Sequence, residues 1–224
     1  MYKKSEILKS LVPERIPGFA AHLYDKIARI SITNYYIKMA ERITSHLDRG
    51  IFLDIGTGPA YLPIEIVKRS KDIRIDGIDL TKKMIKIAEK NVKESGFTHR
   101  INCFVADGNR LNGFKDNYYD MVISTGALHS WKNPVRVIDE CYRVLKPGRE
   151  SWIFDPAEVG SEEKVKAFKG LDMVVYKLLS IIPRAVIPVT YTDTEIREII
   201  KNTRFNNYDI KEEKHSIEIK LKKA

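Results

Sequence analysis

One stretch, residues 51–62, constrains the fold of this chain more than any other. Large apolar residues lead into Asp54 and then into two glycines, Gly56 and Gly58, after which a helical pattern begins. This order is typical of the first strand, turn and helix of a nucleotide-binding α/β domain. Because glycine has no Cβ, a ligand can lie directly on the backbone there. The helix start then directs free N–H groups and the positive end of its dipole at that ligand.

Strands and helices alternate along the rest of the chain. Apolar runs with the length and spacing of strands recur at residues 51–55, 73–78, 101–106, 118–124, 151–154, 208–213 and 216–222. The stretches that follow the first, second and fourth runs show the 3.6-residue period of helices, and the helix that begins at Pro134 is expected to end at Pro147-Gly148. The last two runs predict an antiparallel hairpin. We therefore predict an α/β fold with a doubly wound, mostly parallel seven-stranded sheet and an antiparallel C-terminal hairpin.

Acidic residues lie at the carboxyl ends of the first three strands. They are Asp54 inside the first turn, Asp79 after the second strand and Asp107 after the third. Ligands of open α/β sheets bind at this edge, and a carboxylate about 20 residues beyond the glycine turn can accept both hydroxyls of a ribose. A dinucleotide is disfavoured, because Tyr61 stands where its fingerprint needs a small residue and Asp54 would repel a pyrophosphate. A ligand with an ammonium group would be attracted.

Several ordered motifs then resemble one known family. They are Leu53-Asp-Ile-Gly-Thr-Gly58, Gly77-Ile-Asp-Leu80, Val105-Ala-Asp-Gly108, Tyr119-Asp-Met-Val-Ile-Ser124 and Leu128-His-Ser-Trp131, followed by Asn133-Pro134 and Val144-Leu-Lys-Pro-Gly148. In this order they resemble the class I S-adenosylmethionine-dependent methyltransferases. The last of them resemble the branch that includes the ubiquinone/menaquinone-biosynthesis and related small-molecule enzymes. The resemblance implies a Rossmann-like fold, methyltransferase activity, S-adenosylmethionine as cofactor and S-adenosylhomocysteine as its product.

The resemblance also implies a role for individual residues around the methionine and ribose of the cofactor. Gly56, Thr57 and Gly58 would bear the methionine portion, with Asp54 near its ammonium group. Asp79 would hold the ribose hydroxyls. The family's third glycine is replaced here by Ala60. An alternative for Asp54 is that it only caps the turn.

The adenine and the sulfonium complete the predicted cofactor site. Leu80 would pack on the adenine, and Asp107 would accept a hydrogen bond from the adenine amino group. An alternative for Asp107 is that it only caps a short helix. Ser124 and Thr125 would flank the sulfonium. The predicted cofactor-binding set is completed by Met84, Gly108 and Asn109.

Methyl transfer from a sulfonium is an in-line displacement by an activated reagent, so the protein must mainly align the reactants and exclude water. A general base is needed only for a weakly acidic acceptor. His129 is the candidate, since it follows the fourth strand and histidine is the side chain best suited to proton transfer near neutral pH; alternatively, His129 and Trp131 only shape the pocket wall. Tyr24 is the second predicted catalytic residue, and Asp155 is a further pocket candidate.

The acceptor is not identified by the sequence. No Asn/Asp-Pro-Pro-Tyr/Phe motif follows the fourth strand, which disfavours amino-methylation of adenine or glutamine. The formal net charge of +9 permits a nucleic-acid partner, although lysines spread over most predicted helices favour a solvated basic surface. We expect a small-molecule acceptor. A methyltransferase for RNA or protein, and a cofactor-binding protein without transferase activity, remain alternatives.

We predict a single domain over residues 1–224, with an N-terminal helical cap at 1–48 and a helical lid insertion at 156–190. The apolar face of the insertion is interpreted as a lid over an apolar acceptor, a membrane-surface contact or ordinary core packing. Neither a signal peptide nor a transmembrane segment is apparent. Cys103 and Cys141 have no nearby thiol or histidine, so we expect reduced cysteines, no metal site and a cytoplasmic monomer or homodimer.

Overall fold

A computed structural model describes residues 33–156, 190–213 and 216–224. In chain order its helices and strands are α1 (Thr33–His46), β1 (Arg49–Ile55), α2 (Tyr61–Arg69), β2 (Asp72–Asp79), α3 (Lys82–Glu94), β3 (Ile101–Val105), β4 (Tyr119–Thr125), α4 (Pro134–Val144), β5 (Leu145–Pro156), α5 (Asp193–Lys201), β6 (Asn207–Glu213) and β7 (Ser216–Lys222). A short 3-10 helix, Leu128–Ser130, follows β4. Tyr24, most of the predicted cap and nearly all of the predicted insertion lie outside the described residues.

The strands form one seven-stranded sheet in the order β3-β2-β1-β4-β5-β7-β6. Strands β1 to β5 pair in parallel, and β7 pairs antiparallel with both β5 and β6. The predicted α/β fold with an antiparallel C-terminal hairpin is therefore confirmed. The chain moves outward from β1 to β3 and then returns to place β4 on the other side of β1. The carboxyl ends of β1 and β4 thus flank a topological switch point, where the loops leave room for a ligand.

Both faces of the sheet are buried, because successive side chains of a strand point to opposite faces. On one face, Phe52 and Met121 belong to an apolar cluster that includes residues of α1 and α2. On the other, Leu53 and Val122 belong to a cluster with residues of α4 and α5. These two layers fix β1 and β4, and so fix the loops that follow them.

Helix α4 ends at Val144, three residues before the predicted end at Pro147-Gly148. Leu145 already pairs with Tyr119 as the first residue of β5. Pro147 accounts for the early end, because proline disfavours helical geometry at the preceding residue and cannot donate a helical hydrogen bond.

Both cysteines are free thiols: Cys141 is buried in α4, and Cys103 is half-buried on β3. Burial raises the pKa of each thiol to about 12, so both stay protonated at neutral pH. Within the described ranges, no helix is long and apolar enough to cross a membrane.

Candidate cofactor and acceptor site

The glycine turn lies at the switch point and is held from two sides. Gly56 and Gly58 have φ angles of +79° and +53°, which side-chain-bearing residues rarely adopt. The N–H groups of Gly56 and Thr57 both donate to the carbonyl of Ile78 on β2, at 2.9 Å. On the other side, a Cβ at Gly56 would lie 2.7 Å from the Cβ of Ala127, after β4. Only glycine fits this position.

The start of α2 continues the same left-handed geometry. Ala60, which replaces the family's third glycine, has a φ of +64° and is fully buried. This conformation costs a non-glycine residue about 1–2 kcal/mol. The turn therefore keeps its shape despite the substitution, at some cost in stability.

Asp54 is a carboxyl group buried beneath the turn, with 2% of the residue exposed. Burial raises its pKa to about 7; the Thr57 hydroxyl lowers the pKa and the charge of Asp79 raises it further. The Thr57 hydroxyl is itself buried and forms no well-aligned hydrogen bond within the described part of the chain. No cationic side chain of that part pairs with Asp54. A buried carboxyl and a buried hydroxyl in this state fit a ligand that supplies an ammonium group.

Thr57 occupies its position only because β2 has a glycine opposite it. A Cβ at Gly77 would lie 2.7 Å from the Thr57 Oγ1 and 3.0 Å from its Cβ. The Gly77-Ile-Asp-Leu80 motif therefore has two purposes, since its glycine admits Thr57 and its acidic residue is Asp79.

Asp79 joins the glycine turn to the start of α3. Its Oδ2 accepts the Gly58 N–H at 3.3 Å, and its Oδ1 accepts the Thr81 N–H at 2.7 Å. Burial raises the pKa of Asp79, while these two hydrogen bonds lower it. Each carboxylate oxygen can accept a further hydrogen bond, and the residue is only half-buried. The predicted ribose contact, with Leu80 half-buried beside it, therefore lies at the turn.

Asp107 orders its own turn after β3. Its Oδ1 accepts both the backbone N–H and the side-chain amide of Asn109, each at 2.8 Å. Gly108 packs on β1, because a Cβ there would lie 3.2 Å from the Ile55 Cγ2. Residues 107–110 form a turn closed by an isolated bridge between Asp107 and Arg110, rather than a short helix that Asp107 would cap. This turn lies beside the end of β1, where the predicted adenine contact would be made.

The remaining predicted cofactor contacts differ in accessibility. Ser124 is 1% exposed, and its hydroxyl donates to the Ile55 carbonyl at 2.8 Å, so it ties β4 to β1. Thr125 is half-buried, and its hydroxyl lies 3.7 Å from the sulfur of Met39 on α1. Met84 has no exposed surface, so a ligand can touch it only if its neighbours move. Sequence reasoning missed Met39, because a methionine on an amphipathic helix looks like ordinary core.

His129 and Asp155 form a pair at the ends of β4 and β5. The Nδ1 of His129 lies 3.1 Å from the Asp155 Oδ1, and the His129 backbone N–H donates to Oδ2 at 3.1 Å. Asp155 is buried, while 19% of the His129 side chain is exposed. Burial raises the pKa of Asp155, and its contacts with His129 lower it. The two residues meet because β4 and β5 are adjacent parallel strands, with Thr125 opposite Phe154.

The surroundings of this pair are apolar. Leu128 and Trp131, which flank His129, belong to the same buried cluster as Tyr191 and Ile196. Burial raises the pKa of Tyr191 to about 12, and the charge of Asp155 contributes to the rise. Tyr191 carries no motif of its own and was not predicted.

Comparison with known proteins supports the resemblance to one family. Residues 53–151 match the family model described as "Methyltransferase domain". This matched region is similar to the class I S-adenosylmethionine-dependent methyltransferases. The chain is 33% identical over 124 residues to an uncharacterized methyltransferase of Bacillus subtilis, a match that covers 54% of this chain and 65% of that protein. It is 28% identical over 129 residues to a ubiquinone/menaquinone biosynthesis C-methyltransferase of Geotalea daltonii, covering 56% of this chain and 54% of that protein.

The chain thus spans between half and two thirds of the length of these curated relatives. A solved structure from Methanococcus maripaludis, assigned as an S-adenosylmethionine-dependent methyltransferase, has the same fold, with a TM-score of 0.74 at 24% identity. That match covers 92% of this chain and 93% of the other. The predicted resemblance and the predicted fold are confirmed, and the matching structure is itself described as S-adenosylmethionine-dependent. The roles of individual residues stay predictions.

Proposed function

We propose that this methyltransferase transfers the methyl group of S-adenosylmethionine to a small acceptor, and that the acceptor binds beside His129 at the ends of β4 and β5. The observation that supports this most strongly is the arrangement of two carboxyl groups around one glycine turn. Asp54 lies buried below the turn without a cationic partner among the described residues, and Asp79 accepts the Gly58 N–H from its side. An ammonium group and a pair of hydroxyls, both present in the cofactor, match these two carboxyls.

The apolar cluster around His129 supports an acceptor with an apolar part. Leu128, Trp131 and Tyr191 are all at least nine-tenths buried, and so form a packed wall. Desolvation by such a wall strengthens polar interactions within the site and excludes water, which would otherwise compete for the methyl group.

When bound, S-adenosylmethionine supplies an electrophilic methyl group on a positively charged sulfur. The contribution of the chain is alignment. The glycine turn would fix the methionine portion, Asp79 would fix the ribose, and Thr125 with Met39 would border the reacting end. His129 would accept a proton from an acceptor there. Correct positioning alone can account for several kcal/mol of a barrier.

Calorimetry with S-adenosylmethionine tests the cofactor site. We expect Asp79→Asn to weaken binding by roughly 10- to 100-fold, because a neutral amide loses charge-assisted hydrogen bonds worth about 1.5–3 kcal/mol. The matched control is Asp72→Asn, at the exposed opposite end of the same strand, which should bind within twofold of wild type. Thermal melting checks that both variants fold. Binding by Asp79→Asn that equals wild type would refute the assigned site.

Incubation of cell extract with methyl-labelled cofactor tests the acceptor. We expect the label in small, organic-extractable products that depend on added enzyme. Label recovered in RNA or protein instead would refute the small-molecule assignment, and an enzyme that binds the cofactor but labels nothing would refute transferase activity.

A further inference from the structure

We propose that Asp155 is a positioning residue that holds His129 with Nδ1 protonated and Nε2 available as the base. The acceptor is accordingly methylated at an atom that carries a proton at neutral pH, such as a hydroxyl or a carbon acid. This inference rests on the proposed methyl transfer.

Several hydrogen-bond donors meet at the Asp155 carboxylate. The backbone N–H of His129 is a donor and points to the Asp155 Oδ2 at 3.1 Å, while the ring Nδ1 lies 3.1 Å from Oδ1 and 3.3 Å from Oδ2. A backbone hydrogen bond from Leu128 also lowers the pKa of Asp155, against the rise that burial causes. In its ionised form the carboxylate only accepts hydrogen bonds, so Nδ1 is then the protonated nitrogen of the neutral ring. The other nitrogen, Nε2, then has its lone pair available.

Asp155 and His129 differ in how deeply they are buried. Asp155 is 1% exposed, whereas the His129 side chain keeps 19% of its surface. The carboxylate is therefore fixed inside the protein and the ring reaches outward from it. Within the described ranges, Nε2 has no hydrogen-bond partner. A proton that arrives at Nε2 creates a cation next to a buried anion, which is the arrangement that stabilises an imidazolium.

The loop after β4 connects the His129–Asp155 pair to the glycine turn. Ala127, two residues before His129, lies against Gly56, and the Gly126 N–H donates to the Phe154 carbonyl at 2.8 Å. The loop after β4 is thus anchored on β1 and on β5. The pair is rigidly connected to the turn that binds the cofactor.

The acceptor atom forms its bond to the methyl carbon as the sulfur–methyl bond breaks, and that electron pair stays on the sulfur. The proton of the acceptor atom passes to the His129 Nε2, and Asp155 balances the resulting charge through Nδ1. A thiolate or a carboxylate acceptor has no proton to lose, so a fixed base would give it no advantage.

Nitrogen NMR of histidine-labelled protein tests the tautomer without any reaction. The chain has five histidines, and the loss of one signal set in His129→Gln assigns the ring of interest. In wild-type protein at a pH where the ring is neutral, we expect the Nδ1-protonated form. In Asp155→Asn, only the amide oxygen can accept a hydrogen bond, whereas the amide N–H₂ donates one. The backbone N–H and the ring Nδ1–H of His129 then no longer both find an acceptor, so we expect the Nε2-protonated form to gain population. A wild-type ring with Nε2 protonated would overturn the proposal, and this measurement needs no variant to fold beyond the one used for assignment.

A second histidine–carboxylate pair provides the matched control. The His46 Nε2 lies 3.2 Å from the Glu150 Oε2, on the surface and away from the strand ends. Glu150→Gln should leave the His129 signals and the rate unchanged.

Label transfer in the extract assay supplies the functional readout. We expect Asp155→Asn and His129→Gln each to lower the turnover rate by about 100-fold or more, with cofactor affinity within twofold of wild type. Because the two act as one unit, the double variant should be no slower than His129→Gln. Additive losses, or an unchanged rate in Asp155→Asn, would overturn the positioning role. Failure of wild-type protein to bind S-adenosylmethionine would instead overturn the proposed function.

Discussion

Lowering the pH from 8 to 6 should weaken the binding of S-adenosylmethionine by about tenfold, because Asp54 must be ionised to bind an ammonium group. Burial raises the pKa of this carboxyl to about 7. Above that pH the group is charged and binding is at its strongest. Below it, each unit of pH reduces the ionised fraction by about tenfold, which corresponds to about 1.4 kcal/mol of binding free energy.

Calorimetry at pH 6 and pH 8 measures this change directly. At pH 6, binding should also release close to one proton, which appears as a dependence of the measured enthalpy on the ionisation enthalpy of the buffer. Two other titratable groups near Asp54, Asp79 and Cys103, bear on this pH dependence. The raised pKa of Asp79 adds to the effect at lower pH, and the thiol of Cys103 stays protonated throughout.

Asp54→Asn isolates the contribution of this one group. The variant should bind the cofactor more weakly at pH 8, by tenfold or more, and should lose the change in affinity between pH 6 and pH 8. A wild-type affinity that is constant over this range, or a variant that keeps the full pH dependence, would refute the placement of the ammonium group at Asp54.

Two further predictions concern the packing that supports the site. Gly77→Ala should destabilise the protein by about 1–3 kcal/mol and weaken cofactor binding, because the new Cβ would lie 2.7 Å from the Thr57 Oγ1. Chemical denaturation measures the stability and calorimetry the binding. A variant with the stability and the cofactor affinity of wild type would contradict the close packing. Lys223→Met should lower the free energy of unfolding by about 1–3 kcal/mol without changing cofactor affinity, since the buried Nζ donates to the Asn117 side chain and two backbone carbonyls at 2.6–2.7 Å. A melting temperature equal to that of wild type would show that these bonds contribute no net stability.

Much of the fold could be predicted because its signals are local. The glycine turn, the acidic strand ends and the apolar runs each lie within a few residues, and the sheet orders them as expected. The end of α4 was misplaced because Pro147 acts on the residue before it, so the helix ends earlier than the visible Pro-Gly pair suggests.

The site was predictable in part, for a related reason. The positions of Gly56 and Asp79 follow from short motifs, and both lie at the switch point. The pairing of His129 with Asp155 could not be read from the sequence, because 26 residues separate them and only the adjacency of β4 and β5 brings them together. Met84 lies inside a motif-rich stretch and is fully buried, so its predicted cofactor contact stays a prediction.

The position of β7 between β5 and β6 has a consequence for the order of folding. Strands β1 to β5 can pair as they are synthesised, but the outer edge of β5 stays open until a strand made some 60 residues later arrives. Because β6 and β7 are neighbours in sequence and pair with each other, they can form a hairpin first and dock as a unit. In the interval, the exposed edge of β5 is a site for wrong pairing between chains. Hydrogen exchange during refolding should therefore protect the amides shared by β5 and β7 last.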